Sequence, residues 1–185
     1  MATIFDNLKK AGQNAITWLK QNAAKLSSVT PTELMRDADN KTNNIQMGKM
    51  YMFHYDPKHK NKLPYYDTFP LVIPIEKYSN GFLGLNLHYL APKLRMDLLA
   101  GLTTITNNKS MNENTRMMVT YNLLESTKRH RYFKPTVKRY LATHVQSSFL
   151  NIKASEWETA IFLPVEQFVK KNKKAVWKLS EGLLS

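Results

Sequence analysis

Residues 63–75 read LPYYDTFPLVIPI, and the prolines at 64, 70 and 74 constrain the fold more than any other feature of the chain. The run is apolar and β-branched, which predicts a strand over 69–78, FPLVIPIEKY. Proline fixes φ and has no N–H for a ladder. Pro70 and Pro74 therefore send this strand to an edge, a bulge or a sharp bend. Segment 49–55, KMYMFHY, alternates, with Met50, Met52 and His54 on one side and Tyr51, Phe53 and Tyr55 on the other. Segment 82–90, FLGLNLHYL, places Leu83, Leu85, Leu87 and Tyr89 on one face, and Gly81 and Gly84 suggest tight backbone bending. DPKHKNK and SNG between these runs are turns by composition. Short, bent strands of this kind predict a small SH3-like β-barrel.

The period changes after residue 90. Pro92 opens a helix, PKLRMDLLAG, that Gly101 ends. Further helices are predicted for ENTRMMVTYNLLEST, capped by Asn112, and for TVKRYLATHVQSSFL after Pro135. SEWE at 155–158 has the capping-box spacing, and Pro164 starts VEQFVKK. The class is α+β, with an expected core of Phe53, Leu71, Ile73, Leu83, Leu85, Leu87, Leu94, Leu98, Tyr121, Leu124 and Leu141.

At the other end, Ile4, Leu8, Ala11, Ala15 and Trp18 recur at helical spacing with Leu19 adjacent, which predicts an amphipathic helix within 1–28. The polar stretch RDADNKTNNIQ reads as a linker or exposed loop, so the domains divide as arm 1–28, linker 29–46, core 47–170 and basic tail 171–185. Such a helix can pack on its own domain, lie on a membrane or dock on a neighbour; separated in this way, the face of Ile4, Leu8, Trp18 and Leu19 is expected to find much of its apolar cover on a neighbouring subunit. The first residues do not have the pattern of a signal peptide, and no run is long enough for a membrane span.

The 185 residues are 43% hydrophobic, enough for a core, and contain no cysteine, which excludes disulfides, thiol nucleophiles and cysteine-bound zinc. Net charge is +13, which favours polyanions or acidic partners. The charge has a location: no acid occurs between Ser126 and Ser155, where Lys128, Arg129, Arg131, Lys134, Lys138 and Arg139 interleave with His130, Tyr132 and Phe133. Such a stretch can contact phosphates or an acidic protein surface, and its aromatics can stack bases. No nucleic-acid module is recognisable.

Catalytic signals are weak. His54, Asp56, His59, Asp67 and His88 lack metal-ligand spacing, no glycine-rich phosphate loop occurs, and no cofactor is implied. Asp67 and His88 could pair in a hydrolase or nuclease, but no nucleophile elbow accompanies them. Tyr65 and Tyr66 read as buried rings, and Asp67 as a hydrogen-bond acceptor for turn amides. With Pro70, Pro74, Gly81 and Gly84 they make a structural motif.

The strings KMYMFHYDPKHKNKLPYYDTFPLVIPI, GFLGLNLHYL, YFKP (132–135) and SEWETAIFLPVEQF (155–168) resemble small structural proteins of large contractile-tailed bacteriophages, over about residues 47–170. The resemblance implies a non-enzymatic virion component made in the bacterial host cytoplasm and held among other virion proteins in a symmetric oligomeric assembly. Tail or baseplate comes first, with neck, capsid or the packaged DNA end as other positions. It transfers no catalytic residue. The alternative is a nonspecific nucleic-acid-binding protein that uses residues 128–139.

Overall fold

The computed structural model describes residues 15–36, 39–106 and 132–184. The expectations for Ile4, Leu8, Tyr121, Leu124, Lys128, Arg129, Arg131 and the Asn112-capped helix lie outside them. In chain order the elements are α1 (Ala15–Ser28), α2 (Pro31–Leu34), β1 (Lys41–Thr42), β2 (Met50–Met52), β3 (Tyr66–Asp67), β4 (Leu71–Tyr78) and β5 (Gly81–Asn86). There follow α3 (Pro92–Thr106), α4 (Phe133–Thr136), β6 (Val137–Leu141), β7 (Phe149–Ile152), α5 (Trp157–Ala160), β8 (Phe168–Val169) and α6 (Lys173–Gly182).

Six strands form one antiparallel sheet in the order β1-β7-β2-β4-β5-β6, and β3 pairs separately with β8. The class is α+β; among the described residues β1 and β6 are the sheet edges and do not pair, so an open sheet stands where a small bent SH3-like barrel was expected. The proline-bearing strand β4 is central, flanked by β2 and β5. Its register shifts between Pro74 and Glu76, and Pro70 lies buried just ahead of it. Of the three solutions open to such a strand, the bulge is the one adopted: Pro74 gives up a donor, while its carbonyl accepts from Gly48 N at 2.8 Å.

Both faces of the sheet are covered. Met50, Met52, Leu71, Ile73 and Leu85 point to the larger core, with Leu87, Leu90, Ile161 and Leu163. Tyr51, Phe53, Tyr55, Val72, Phe82, Tyr140 and Phe149 form an aromatic core on the other face. Phe53 is its centre, with ring centroids 4.9 Å from Phe149 and 5.4 Å from Tyr140. Gly84 lies on this face because a Cβ there would stand 2.4 Å from Val72 Cγ1. Gly81, at φ +150°, approaches β6 so closely that a Cβ would meet Tyr140 O at 2.0 Å. Leu83 and Leu94 are partly buried against the larger core, and Leu98 is buried in it; Leu141 is partly exposed.

Four helical expectations change. Gly101 lies inside α3, which continues to Thr106. TVKRYL is mostly strand: helical spacing of Val137, Leu141 and Val145 competes with a two-residue alternation, and the alternation wins because it stacks Tyr140 on Phe82 at 5.2 Å. In SEWE the reaching carboxylate is Glu156, which accepts from Lys153 N at 2.8 Å; after Pro164 the chain runs as coil into β8.

The domain limits move as well. Trp18 is only 3% exposed, against Phe162, and Leu26 is also buried in the larger core. The chain itself thus covers Trp18, which corrects the expectation that a neighbouring subunit does so. The expected linker contains α2, with reciprocal capping between Thr30 and Glu33, and β1, which pairs with β7. The expected basic tail contains α6, capped by Asn172, with Val176 and Ser180 buried.

Between α3 and the C-terminal segment lies a buried ion pair. Arg95 is fully buried; it donates to Glu166 Oε1 at 2.5 Å and to the carbonyls of Leu90, Ile161 and His88. Burial pushes the Glu166 carboxyl up, but attraction to Arg95 outweighs it and holds the group at about 2. This folded value is below the unfolded one, so the stabilisation is complete above about pH 4.5 and is lost as pH falls toward 2.

Two stability outcomes follow. Trp18→Ala should destabilise the whole domain by about 3–5 kcal/mol in urea titration; a separately melting arm would leave the main transition unmoved. Arg95→Met and Glu166→Leu should each cost about 3–5 kcal/mol at pH 7, and the double variant less than the sum, because each single change strands a buried charge.

Candidate functional site

The motif Tyr65-Tyr66-Asp67 lies in a loop that folds across the sheet end and is fixed from two sides. Asp67 is 4% exposed and accepts four hydrogen bonds. Oδ1 takes the amides of Phe69 (3.0 Å) and Gln167 (3.2 Å); Oδ2 takes Asn86 Nδ2 (3.2 Å) and His88 Nδ1–H (2.8 Å). The Phe69 bond is an Asx turn, formed from residues adjacent in sequence. The other three draw on β5, the turn at Leu87–Tyr89 and the segment before β8. From the opposite side Lys170, at φ +70°, donates to the carbonyls of Lys60 (2.6 Å), Asn61 (3.2 Å) and Leu63 (2.7 Å). Lys170, the last residue of the expected core segment, thus acts as a loop clamp.

The clamped loop encloses a cavity of about 560 Å³ against the edge of the aromatic core. Tyr55, Tyr65, Tyr66, Tyr89 and Tyr140 line it, with Leu63, Pro64 and Leu141. Its basic side chains are Lys58, His59, Lys138 and Arg139, and its carboxylate is Asp67, already committed to four donors. Lys58, His59 and Arg139 are exposed, whereas Lys138 is half-buried.

Alternation on β6 sends Lys138 and Tyr140 to one face and Arg139 to the other. Lys138 Nζ stands 4.1 Å from the Tyr89 ring centroid and donates to Pro135 O at 2.9 Å. Both neighbours are neutral, and burial pulls the ammonium down to about 8. Arg139 turns away, over the Tyr78 ring at 4.2 Å, and donates to Asn80 Oδ1 and to Tyr140 O. Lys134 is exposed on α4, one turn before the strand.

The structure thus brings Tyr65, Tyr66, Asp67 and Lys138 into one site, with Arg139 at its edge. Trp18 is remote in the larger core, and Leu19 lies on α1. His88 is fully buried, and its Nε2 has no hydrogen-bond partner among the described residues. The His88–Asp67 pair therefore exists, and each of its bonds holds the loop. Sequence reasoning missed Tyr55, Tyr89, Tyr140, Lys58 and His59 as site residues. The aromatic alternation of 51–55 and the DPKHKNK turn carried the signal, but nothing local showed that the turn folds back over β6.

A family model described as phage T4 terminal DNA protecting protein matches residues 6–179. No curated protein and no solved structure matches the chain. Among the described residues, no helix is long and apolar enough to cross a membrane, and no group of three or more His, Asp or Glu is placed to hold a metal ion.

The desolvated Lys138 has a stability consequence. Its folded value, about 8, lies below the unfolded 10.5, so the folded state holds fewer protons across that window and stability rises with pH through it. At pH 7 the charge opposes folding, and Lys138→Met should raise stability by about 1–2 kcal/mol in thermal melts. The gain should shrink as pH climbs from 8 toward 10.5; a constant gain would show that Lys138 is not desolvated.

Proposed function

The chain belongs to the phage T4 terminal DNA protecting protein family, and from that membership we propose that it binds the ends of linear phage DNA and shields them, by occupancy rather than catalysis. The observation that carries this reading is the junction of a tyrosine-lined cavity with the basic strand β6. Stacked aromatics and cations are the two elements that hold an unpaired strand without reading its sequence. Arg139 lines the cavity and Lys134 is exposed on α4, one turn before β6, and the two supply backbone contacts; the +13 net charge adds a long-range field that steers polyanions.

Binding without turnover fits the local chemistry. No serine, threonine or cysteine lines the cavity among the described residues, and the Asp67 carboxylate is saturated by donors. The protein acts as a bound cap in the virion, or on DNA leaving it. Docking within a tail or baseplate is the weaker reading, since the family description concerns DNA termini.

Affinity for duplex DNA should fall steeply with salt, with a log–log slope of about −0.9 for each phosphate neutralised. Lys134→Gln should make that slope shallower by about one contact. Pure protein should slow an end-dependent exonuclease on linear DNA and leave an endonuclease unaffected. Metal-dependent cleavage by the pure protein, or salt-independent binding, would overturn the reading.

A further inference from the structure

The DNA reading leaves open how an end differs from the middle of a molecule that carries the same phosphates throughout. We propose, resting on that reading, that the cavity is a discrete site for one unpaired terminal nucleotide, with its base against Tyr65, Tyr66 and Tyr89 and its terminal phosphate on Lys138.

Size selects the ligand first. A cavity of about 560 Å³ is in the range that encloses a small molecule. A duplex is too wide to enter, but a single nucleotide splayed from the stack is not. The walls suit a base: Tyr65 and Tyr89 already approach one another with centroids 5.9 Å apart and 36° between planes. Tyr66 is held beside them by the β3–β8 pairing, Tyr66 opposite Val169. Stacking on such rings tolerates any base.

Charge selects the end. Lys138 is the most buried of the lining cations, and its two neighbours, the Pro135 carbonyl and the Tyr89 ring, leave its charge uncompensated. A buried ammonium with no counterion is unfavourable alone and well matched to an entering anion. A phosphodiester within a strand has chain on both sides and stays at the rim, within reach of Lys58 and His59. A terminal phosphomonoester has one free side and carries between one and two charges at neutral pH, so it can reach Lys138. End preference then follows from geometry and requires no sequence readout.

Fluorescence anisotropy with the full chain tests this on three forms of one duplex. The first is open, with a one-nucleotide unpaired tail bearing a phosphate at either the 5′ or the 3′ terminus in separate arms. The second lacks that phosphate, and the third is a covalently closed dumbbell. One phosphorylated open form should bind about tenfold tighter than the dumbbell, and removing its phosphate should erase most of the difference. A free deoxynucleoside monophosphate should compete away the same increment. Lys138→Met and Tyr66→Leu should each bring the open-to-dumbbell ratio toward one, whereas Lys134→Gln should lower both affinities in proportion. Equal wild-type affinity for open and closed forms overturns the cavity proposal while the DNA reading stands, as does a ratio that Lys138→Met leaves intact. Absence of binding to every form overturns both. If Lys138→Met fails to fold, Tyr66→Leu, at a half-buried cavity wall, still reads that ratio.

Discussion

The structure around the site depends on the buried carboxylate of Asp67. A carboxylate removed from water is costly unless its lone pairs are used, and here four donors from three segments use them. The amide of Phe69 fixes the local turn. Asn86 and His88 tie the loop to the end of β5, and the Gln167 amide ties it to a segment a hundred residues away in sequence. Without this knot, Tyr65 and Tyr66 would be held only by the Lys170 clamp and the β3–β8 pairing. With it, they are walls of a cavity.

A second buried charge supports the first through a shared residue. The carbonyl of His88 accepts from Trp177 Nε1 at 2.8 Å and lies 3.4 Å from an Arg95 nitrogen. Arg95 in turn joins Glu166, immediately before the Gln167 that bonds Asp67. The polar centre thus joins α3, the turn at Leu87–Tyr89, the segment before β8, and α6. Such a network is costly if partly satisfied and rigidifying when complete. The loop it holds can therefore keep an aromatic cavity open without apolar filling.

The cavity adjoins the aromatic core and shares Tyr55 and Tyr140 with it. Ring packing around Phe53 sets the position of β6, and β6 sets the position of Lys138. The fold therefore places a cation where burial disfavours it. Sites that bind anions commonly trade stability for a charge held ready in this way. Arg139, one residue on, donates to Tyr140 O and Asn80 Oδ1 and stays at the surface, so adjacent cations on one strand have different environments.

The sequence by itself determined the α+β class, the alternation of 49–55, much of the core from Phe53 to Leu98, and the bulge-or-edge choice imposed by Pro74. These rest on local rules: side-chain period, and a proline that cannot donate. The Asx role of Asp67 was also legible, because its first partner is two residues away. The Thr30–Glu33 capping box was equally local and went unread within a stretch taken for linker. Tertiary structure decided the rest. Helix and strand periods competed over 137–145, and only the contact of Tyr140 with Phe82 and Phe53 resolved them. Trp18 could have packed on its own domain or on a neighbour, and Phe162, far along the chain, supplied the cover. Lys170 and Lys138 look alike in sequence, yet one clamps three carbonyls and the other points into a cavity. Charge and amphipathicity are properties of a segment; what a residue meets depends on segments that meet only when the chain folds.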